Sequence, residues 1–233
     1  MRIATREHGV QSVVARGARR PRSRFGHSLD LFASGIVHFT MRPGRDLSTL
    51  SGFDLTSGRV AIAADLDRFA AASAMAELVL RFSRADPHDD AFAVLVDALD
   101  ALTAAPAGSA TDQGIAFAWQ YVGALGFAPT MEACCSCHAA IAPDESAPFS
   151  HEGGGVVCGR CTRSVSVGRA LPAGARLTIA AWLRGGHIRL AADPDRRAHL
   201  RLLREFIHHH LAEGGSRELC ALDAWEARVR ASQ

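Results

Sequence analysis

The chain has 233 residues, 48% of them hydrophobic, with a mean hydropathy near zero and a formal net charge of +2. This length holds one large or two small domains, and the composition excludes a disordered tail. No run reaches the roughly 18 to 20 apolar residues that cross a bilayer, and the start MRIATREHGV lacks the apolar stretch of a signal peptide, so the expected location is cytoplasmic, with no membrane contact.

The small net charge hides a division along the chain. Residues 1–60 carry ten arginines against Glu7, Asp30, Asp46 and Asp54, whereas residues 61–130 carry Arg68, Arg81 and Arg84 against nine acids. A polyanionic partner would therefore meet mainly the front of the molecule. The sequence contains no lysine. Part of that reflects coding bias, but the chemistry follows regardless, because a planar guanidinium fork grips phosphate bidentately and stacks on bases.

In chain order, VQSVVA (10–15), GIVHFTM (35–41) and LSTLSGFDL (47–55) read as short strands, with RPGRD as a turn between the last two. Short strands at this spacing point to a small barrel or part of one. Between the first two lies ARGARRPRSRFG, which packs Arg16, Arg19, Arg20, Arg22 and Arg24 into nine positions without an acid. A charge run is ordinarily a solvated loop. Here its place between strands points to a track along a nucleic-acid backbone, with Gly17, Pro21 and Gly26 keeping it from helix. Phe25, Phe32 and Phe39 are read as core in preference to base-stacking residues, since a barrel this small needs its aromatics inside.

From Asp65 the apolar period becomes helical. DLDRFAAASAMAELVLRFSR, DDAFAVLVDALDALTA and TDQGIAFAWQYVGALGF read as three helices, with DPHDD capping the second and Thr111 or Asp112 the third. After a cysteine-rich insert at about 130–163, PAGARLTIAAWLRGG, DPDRRAHLRLLREFIHHHL and SRELCALDAWEARV read as three more. Trp119, Trp182 and Trp225 are expected as packing anchors, and Cys220 as a small buried residue in the last helix. Of the run His208 to His210, one ring is expected to be buried and the others solvated. Consecutive helical residues point apart and cannot converge on one ion.

Five of the six cysteines fall in CCSCH and CGRC. Cys134 with Cys137, and Cys158 with Cys161, form two C-x2-C knuckles, the spacing of a tetrahedral four-thiolate zinc site. Cys135 or His138 stands open as a substitute ligand. Cys134 with Cys137 is preferred because a C-x-C pair closes a tighter turn. Such a closed site contributes folding energy, on the order of 10 kcal/mol, and has no open position for catalysis. HEGGGVV lacks the lysine of a phosphate loop and reads as a turn leading into the second knuckle.

Taken in order, VVARGARRPRSRFGHSLDLF, LGFAPTMEACCSC, GGGVVCGRC and FIHHHLAEGGSRELCALDAWE resemble the bacterial recombination mediator family RecO over nearly the whole chain. The resemblance implies an α+β multidomain protein. An N-terminal OB-fold barrel would occupy 1–60, and an all-α domain 61–233, with the four-cysteine zinc module inserted at about 130–163. It implies a structural Zn2+ on Cys134, Cys137, Cys158 and Cys161, and DNA on Arg16, Arg19, Arg20, Arg22 and Arg24. It further implies a non-enzymatic, nucleoid-associated function in DNA repair: binding single- and double-stranded DNA and annealing complementary strands. Partners would be the C-terminal tail of the single-strand-binding protein SSB and RecR, in the RecFOR pathway that loads RecA. The SSB tail is acidic and apolar, which implies a hydrophobic groove with a basic rim in the helical domain.

One departure is visible. Family members begin with a further strand before the TREHG turn, and here Met1 sits almost at that turn. Either the true start lies upstream or the barrel lacks its first strand. Two other classes stand beside this reading. A zinc-ribbon transcription regulator predicts preference for one duplex sequence, and a nuclease or deaminase predicts motifs, such as H-x-E with P-C-x-x-C, that are absent.

Overall fold

Thr5 makes the first turn. Its hydroxyl donates to the Gly9 carbonyl (2.9 Å) and accepts from the His8 N–H (3.1 Å), folding Arg2–Thr5 (β1) back on Gly9–Val14 (β2). In this computed structural model, residues 1–231 are described apart from 19, 21, 24, 27, 42–46, 84–87 and 212–217. They form two compact units, Met1–Ala105 and Pro106–Gln233.

In the first unit, β1 and β2 join Ser34–Thr40 (β3) and Leu47–Ser57 (β4) in one sheet of order β1-β2-β4-β3. β1 runs antiparallel to β2, β2 parallel to β4, and β3 antiparallel to β4. A Cβ at Gly35 would collide with the Asp54 carbonyl, so the bulged start of β3 requires glycine. Val13, Leu50 and Phe25 form the buried core of the sheet, with Ile3, Leu29, Val37 and Phe39 packed around it. Phe32 sets its ring edge on Phe69 at 5.6 Å. Phe25 is thus core as expected and Phe39 borders the core half-buried, whereas Phe32, also half-buried, packs on a helix and not in the core of the sheet. A four-residue strand, β1, precedes the TREHG turn, where the sequence pattern suggests that the first strand is missing.

Val60–Ala63 (α1), Leu66–Phe82 (α2) and Asp89–Ala104 (α3) complete this unit. Asp65 caps α2 by accepting the N–H groups of Asp67 and Arg68, both at 2.9 Å. At the start of α3 the cap position belongs to His88, with no side-chain bond, and Asp89 and Asp90 sit in the first turn instead. Arg59 explains why the helices belong with the sheet. It is buried in a left-handed conformation, donates to the Phe32 carbonyl (2.8 Å), and pairs with Asp100 of α3. The expected boundary near residue 60 falls on this strap, whereas the compact units divide at 105.

The second unit opens with Ala110–Ala124 (α4). A small sheet follows, Ala147–Ser150 (β5), Gly155–Val156 (β6) and Ala170–Leu171 (β7), in order β6-β5-β7. Ala173–Leu183 (α5), Asp193–His210 (α6) and Cys220–Ala231 (α7) pack beyond it. Trp119, Trp182 and Trp225 are fully buried, Trp119 against Phe206 (5.4 Å). Among the described residues, no helix is long and apolar enough to cross a membrane.

Three expectations change here. Neither Thr111 nor Asp112 caps α4, where Ser109 holds the cap position without a side-chain bond. Asp112 is buried instead and accepts from Arg196 (2.7 Å) and from the Leu190 N–H (3.2 Å), which ties α4 to α6. Cys220 is exposed as the first residue of α7. No ring of His208 to His210 is buried; the buried histidine of α6 is His199, edge-on to Trp182 at 4.9 Å.

Two outcomes follow for stability. Asp112→Ala leaves the Leu190 N–H without its buried acceptor, while Arg196 keeps Asp193 and the Leu190 carbonyl, and should cost about 1–3 kcal/mol in a denaturant melt, whereas breaking the exposed Arg184–Glu132 pair should cost about 1 kcal/mol or less. Burial lowers His199 from 6.5 to about 4. The unfolded ring takes up a proton below about pH 6.5 and the folded ring does not. Its contribution is therefore complete above pH 6.5 and is lost as pH falls toward 4. His199→Phe should flatten the stability profile between those values while leaving the neutral-pH melt nearly unchanged.

Candidate metal centre and nucleic-acid interface

Two tight turns form the sulfur cluster. In the first, the His138 N–H returns to the Cys134 carbonyl (2.9 Å) and the Cys134 N–H meets the Ala139 carbonyl (2.8 Å), with His138 left-handed at φ 60°. In the second, the Cys161 N–H meets the Cys158 carbonyl (3.0 Å), opening a 3-10 turn over Cys161–Arg163. Strand β6 joins them. The Cys135 N–H donates to the Val156 carbonyl (2.8 Å), and Gly155 runs so close to Thr130 that a Cβ there would clash with its backbone. The HEGGGVV segment thus turns into β6 and delivers Cys158.

The Sγ atoms of Cys134, Cys137, Cys158 and Cys161 all lie within 4.8 Å of one another. Cys137 and Cys158 are 3.7 Å apart, and a tetrahedral ion with bonds of about 2.3 Å requires sulfur separations of about 3.8 Å. The four thiols fit such an ion. Cys135 and His138 are not part of the group, and the Cys135 sulfur faces Gly153 instead.

The thiols of the cluster titrate unequally. Burial opposes ionisation of Cys134, but the N–H groups of Cys158, Cys137 and Ser136 outweigh it and hold its pKa at about 6. The Cys161 N–H lowers Cys158. Hydrogen bonds to Cys137 and Cys158 push Cys161 up to about 12. A bound ion would displace the protons these thiols carry.

Sequence reasoning missed the residue that seats this insert. Arg176, on α5, is fully buried and donates to the carbonyls of Met131 (2.5 Å), Ala142 (2.5 Å) and Glu145 (3.3 Å). Its only sequence signal is an arginine on the inward face of an otherwise apolar helix.

The arginine segment is a chain of turns. Ala18, Arg20, Ser23 and Gly26 each donate their N–H to the carbonyl three residues back. Phe25 anchors the segment in the core, only 3% exposed. Arg16, Arg20 and Arg22 are exposed, with no carboxylate partner among the described residues, and Arg22 is left-handed at φ 64°. Arg19 and Arg24 lie outside the described residues.

In the second unit a groove of about 490 Å³ is lined by Phe149, Leu171, Ile179 and Leu202, with buried His199. Both signs of charge border it, Arg169 and Arg201 with Asp195 and Glu205. The resemblance implies a groove with a basic rim, and this one carries two arginines on a rim of mixed charge.

Residues 1–59 match the family described as Recombination protein O N terminal, and residues 63–218 match Recombination protein O C terminal. The chain is 37% identical to the DNA repair protein RecO of Anaeromyxobacter dehalogenans (strain 2CP-C) over 217 residues, covering 90% of this chain and 83% of that protein. It is 32% identical to the DNA repair protein RecO of Myxococcus xanthus over 211 residues (90% and 84%), and 32% identical to that of Streptomyces griseus over 225 residues (91% and 87%). These matches span both units and define a DNA repair protein of the recombination protein O type. The chain belongs to the RecO family.

Two variants probe this site. Cys161→Ser should abolish stoichiometric metal binding, read by elemental analysis of freshly purified protein. Arg176→Met should leave carbonyls unsatisfied inside the unit, costing about 2–4 kcal/mol, and should also weaken metal retention against a chromophoric chelator.

Proposed function

We propose that this protein is a recombination mediator that binds single- and double-stranded DNA, anneals complementary strands and, with RecR, helps load RecA on SSB-coated strands. Its working location is the cytoplasm, at the nucleoid. The observation that carries this reading is the arginine segment of the N-terminal region: Phe25 fixes it to the sheet while Arg16, Arg20 and Arg22 stand exposed and unpaired among the described residues. Arg19 and Arg24 belong to the same track by sequence.

The N-terminal domain, residues 1–60, is read as an OB-fold, a five-stranded Greek-key barrel. Among the described residues its sheet has four strands with mixed pairing, one fewer than such a barrel. The helical domain, 61–233, carries the insert at about 130–163, and its four thiols select zinc, because soft thiolates in tetrahedral array suit that ion. The role of the ion is structural. The apolar groove beside α6 is the proposed seat of the SSB tail, its apolar residues entering beside Ile179 and Leu202 and its carboxylates meeting Arg201.

Affinity for single-stranded DNA should fall with salt by about 0.7 log units per log unit for each phosphate neutralised. The triple change of Arg16, Arg20 and Arg22 to alanine should weaken binding on all sequences alike and reduce that slope by about 2. An unchanged slope refutes the assignment of this segment. Annealing of SSB-coated complementary strands then separates a mediator from a plain DNA binder: wild type should anneal them, and failure to do so rejects the mediator reading.

A further inference from the structure

From Gly153 to Ala192 the chain contains no aspartate or glutamate and six arginines. Two of the six are used internally, Arg176 in the buried clamp and Arg184 in its pair with Glu132 at 2.6 Å. Arg160 lies beside the sulfur cluster, and Cys158 above all raises its pKa. Arg163, Arg169 and Arg189 remain exposed with no carboxylate partner among the described residues, the first two on either side of the stretch that leaves the second knuckle. Elsewhere in the unit several arginines are paired with acids, as Arg196 is with Asp112 (2.7 Å) and Arg230 with Glu226 (3.4 Å). The knuckle departs from that habit.

We propose that the second cysteine knuckle is a further contact for the phosphodiester backbone of DNA, made by Arg163 and Arg169. The proposal rests on the DNA-binding reading above. The geometry supports it in two ways. Hydroxyls brace the turn, Thr162 donating to the Gly159 carbonyl (2.9 Å) and Ser164 to the Cys161 carbonyl (3.1 Å). The sulfur cluster fixes one end of the stretch and the pairing of β7 with β5 fixes the other, through the Phe149 N–H to the Arg169 carbonyl (3.1 Å). Both cations thus leave a backbone held in place, which lowers the entropy lost on engaging a phosphate chain. The competing account is that these arginines only offset the negative charge of four thiolates.

The test uses the full chain and a fluorescent oligothymidylate, read by anisotropy across a salt series, with bound metal measured on the same samples. The double change Arg163→Ala and Arg169→Ala should lower the salt slope by about 1.4 while metal per chain stays constant. Arg163→Lys with Arg169→Lys should restore the slope. Loss of metal from the alanine variant assigns the arginines to the thiolates and overturns the proposal, as does failure of the lysine variant to recover the slope. An unchanged slope here, beside a reduced slope in the Arg16, Arg20 and Arg22 variant, rejects the knuckle contact and leaves the DNA reading intact. Wild-type protein with no salt-dependent binding rejects both.

Discussion

The second unit depends on one buried guanidinium. The stretch between α4 and α5 contains strands of only two and four residues, too little regular structure to bury a core of its own. Arg176 compensates from outside the insert, because its planar fork reaches carbonyls contributed by Met131 and by Ala142 to Glu145 at once. A lysine ammonium at that site would lack the span and the fixed donor geometry. Those carbonyls flank the first knuckle in sequence, so the clamp positions Cys134 and Cys137 before any ion is considered. The four-sulfur cluster is therefore a product of packing as much as of cysteine spacing.

In a chain without lysine, arginine must serve both structure and binding, and partners tell the roles apart. Arg59 and Arg196 turn inward onto carboxylates, and Arg68 reaches the carbonyls of Thr103 (3.3 Å) and Ala105 (2.7 Å). Each holds two elements together. Arg16, Arg20 and Arg22 turn outward, although Phe25 beside them is buried. A solvated loop with no role would not need that anchor. The segment is thus a surface of cations on a fixed base, and its chain of turns keeps their backbones in a defined path.

What could be read from the sequence was what local pattern determines. Strands β2, β3 and β4 and the six longer helices follow from period and turn residues, and the two knuckles follow from spacing. The rest depends on distant partners. β1 is four residues without a clear alternation, and it exists because β2 pairs with it. Asp112 looks like a helix cap when only TDQ is in view, yet its partner Arg196 lies 84 residues further on. Cys220 sits among apolar neighbours in sequence but opens α7 on its exposed side. Arg176 resembles any helical arginine until the carbonyls it meets, 31 to 45 residues earlier, are known.

This separation of inward and outward arginines has an electrostatic consequence. Exposed charges lose most of their mutual influence beyond a Debye length, about 10 Å at 0.1 M salt. A pair such as Asp112 with Arg196, 3% and 14% exposed, is screened far less. Raising ionic strength should therefore strip a polyanion from the outward arginines well before it loosens the inward ones. Binding and folding then respond to salt on different scales, which is what allows a salt slope to count phosphate contacts in a protein whose every strong cation is an arginine.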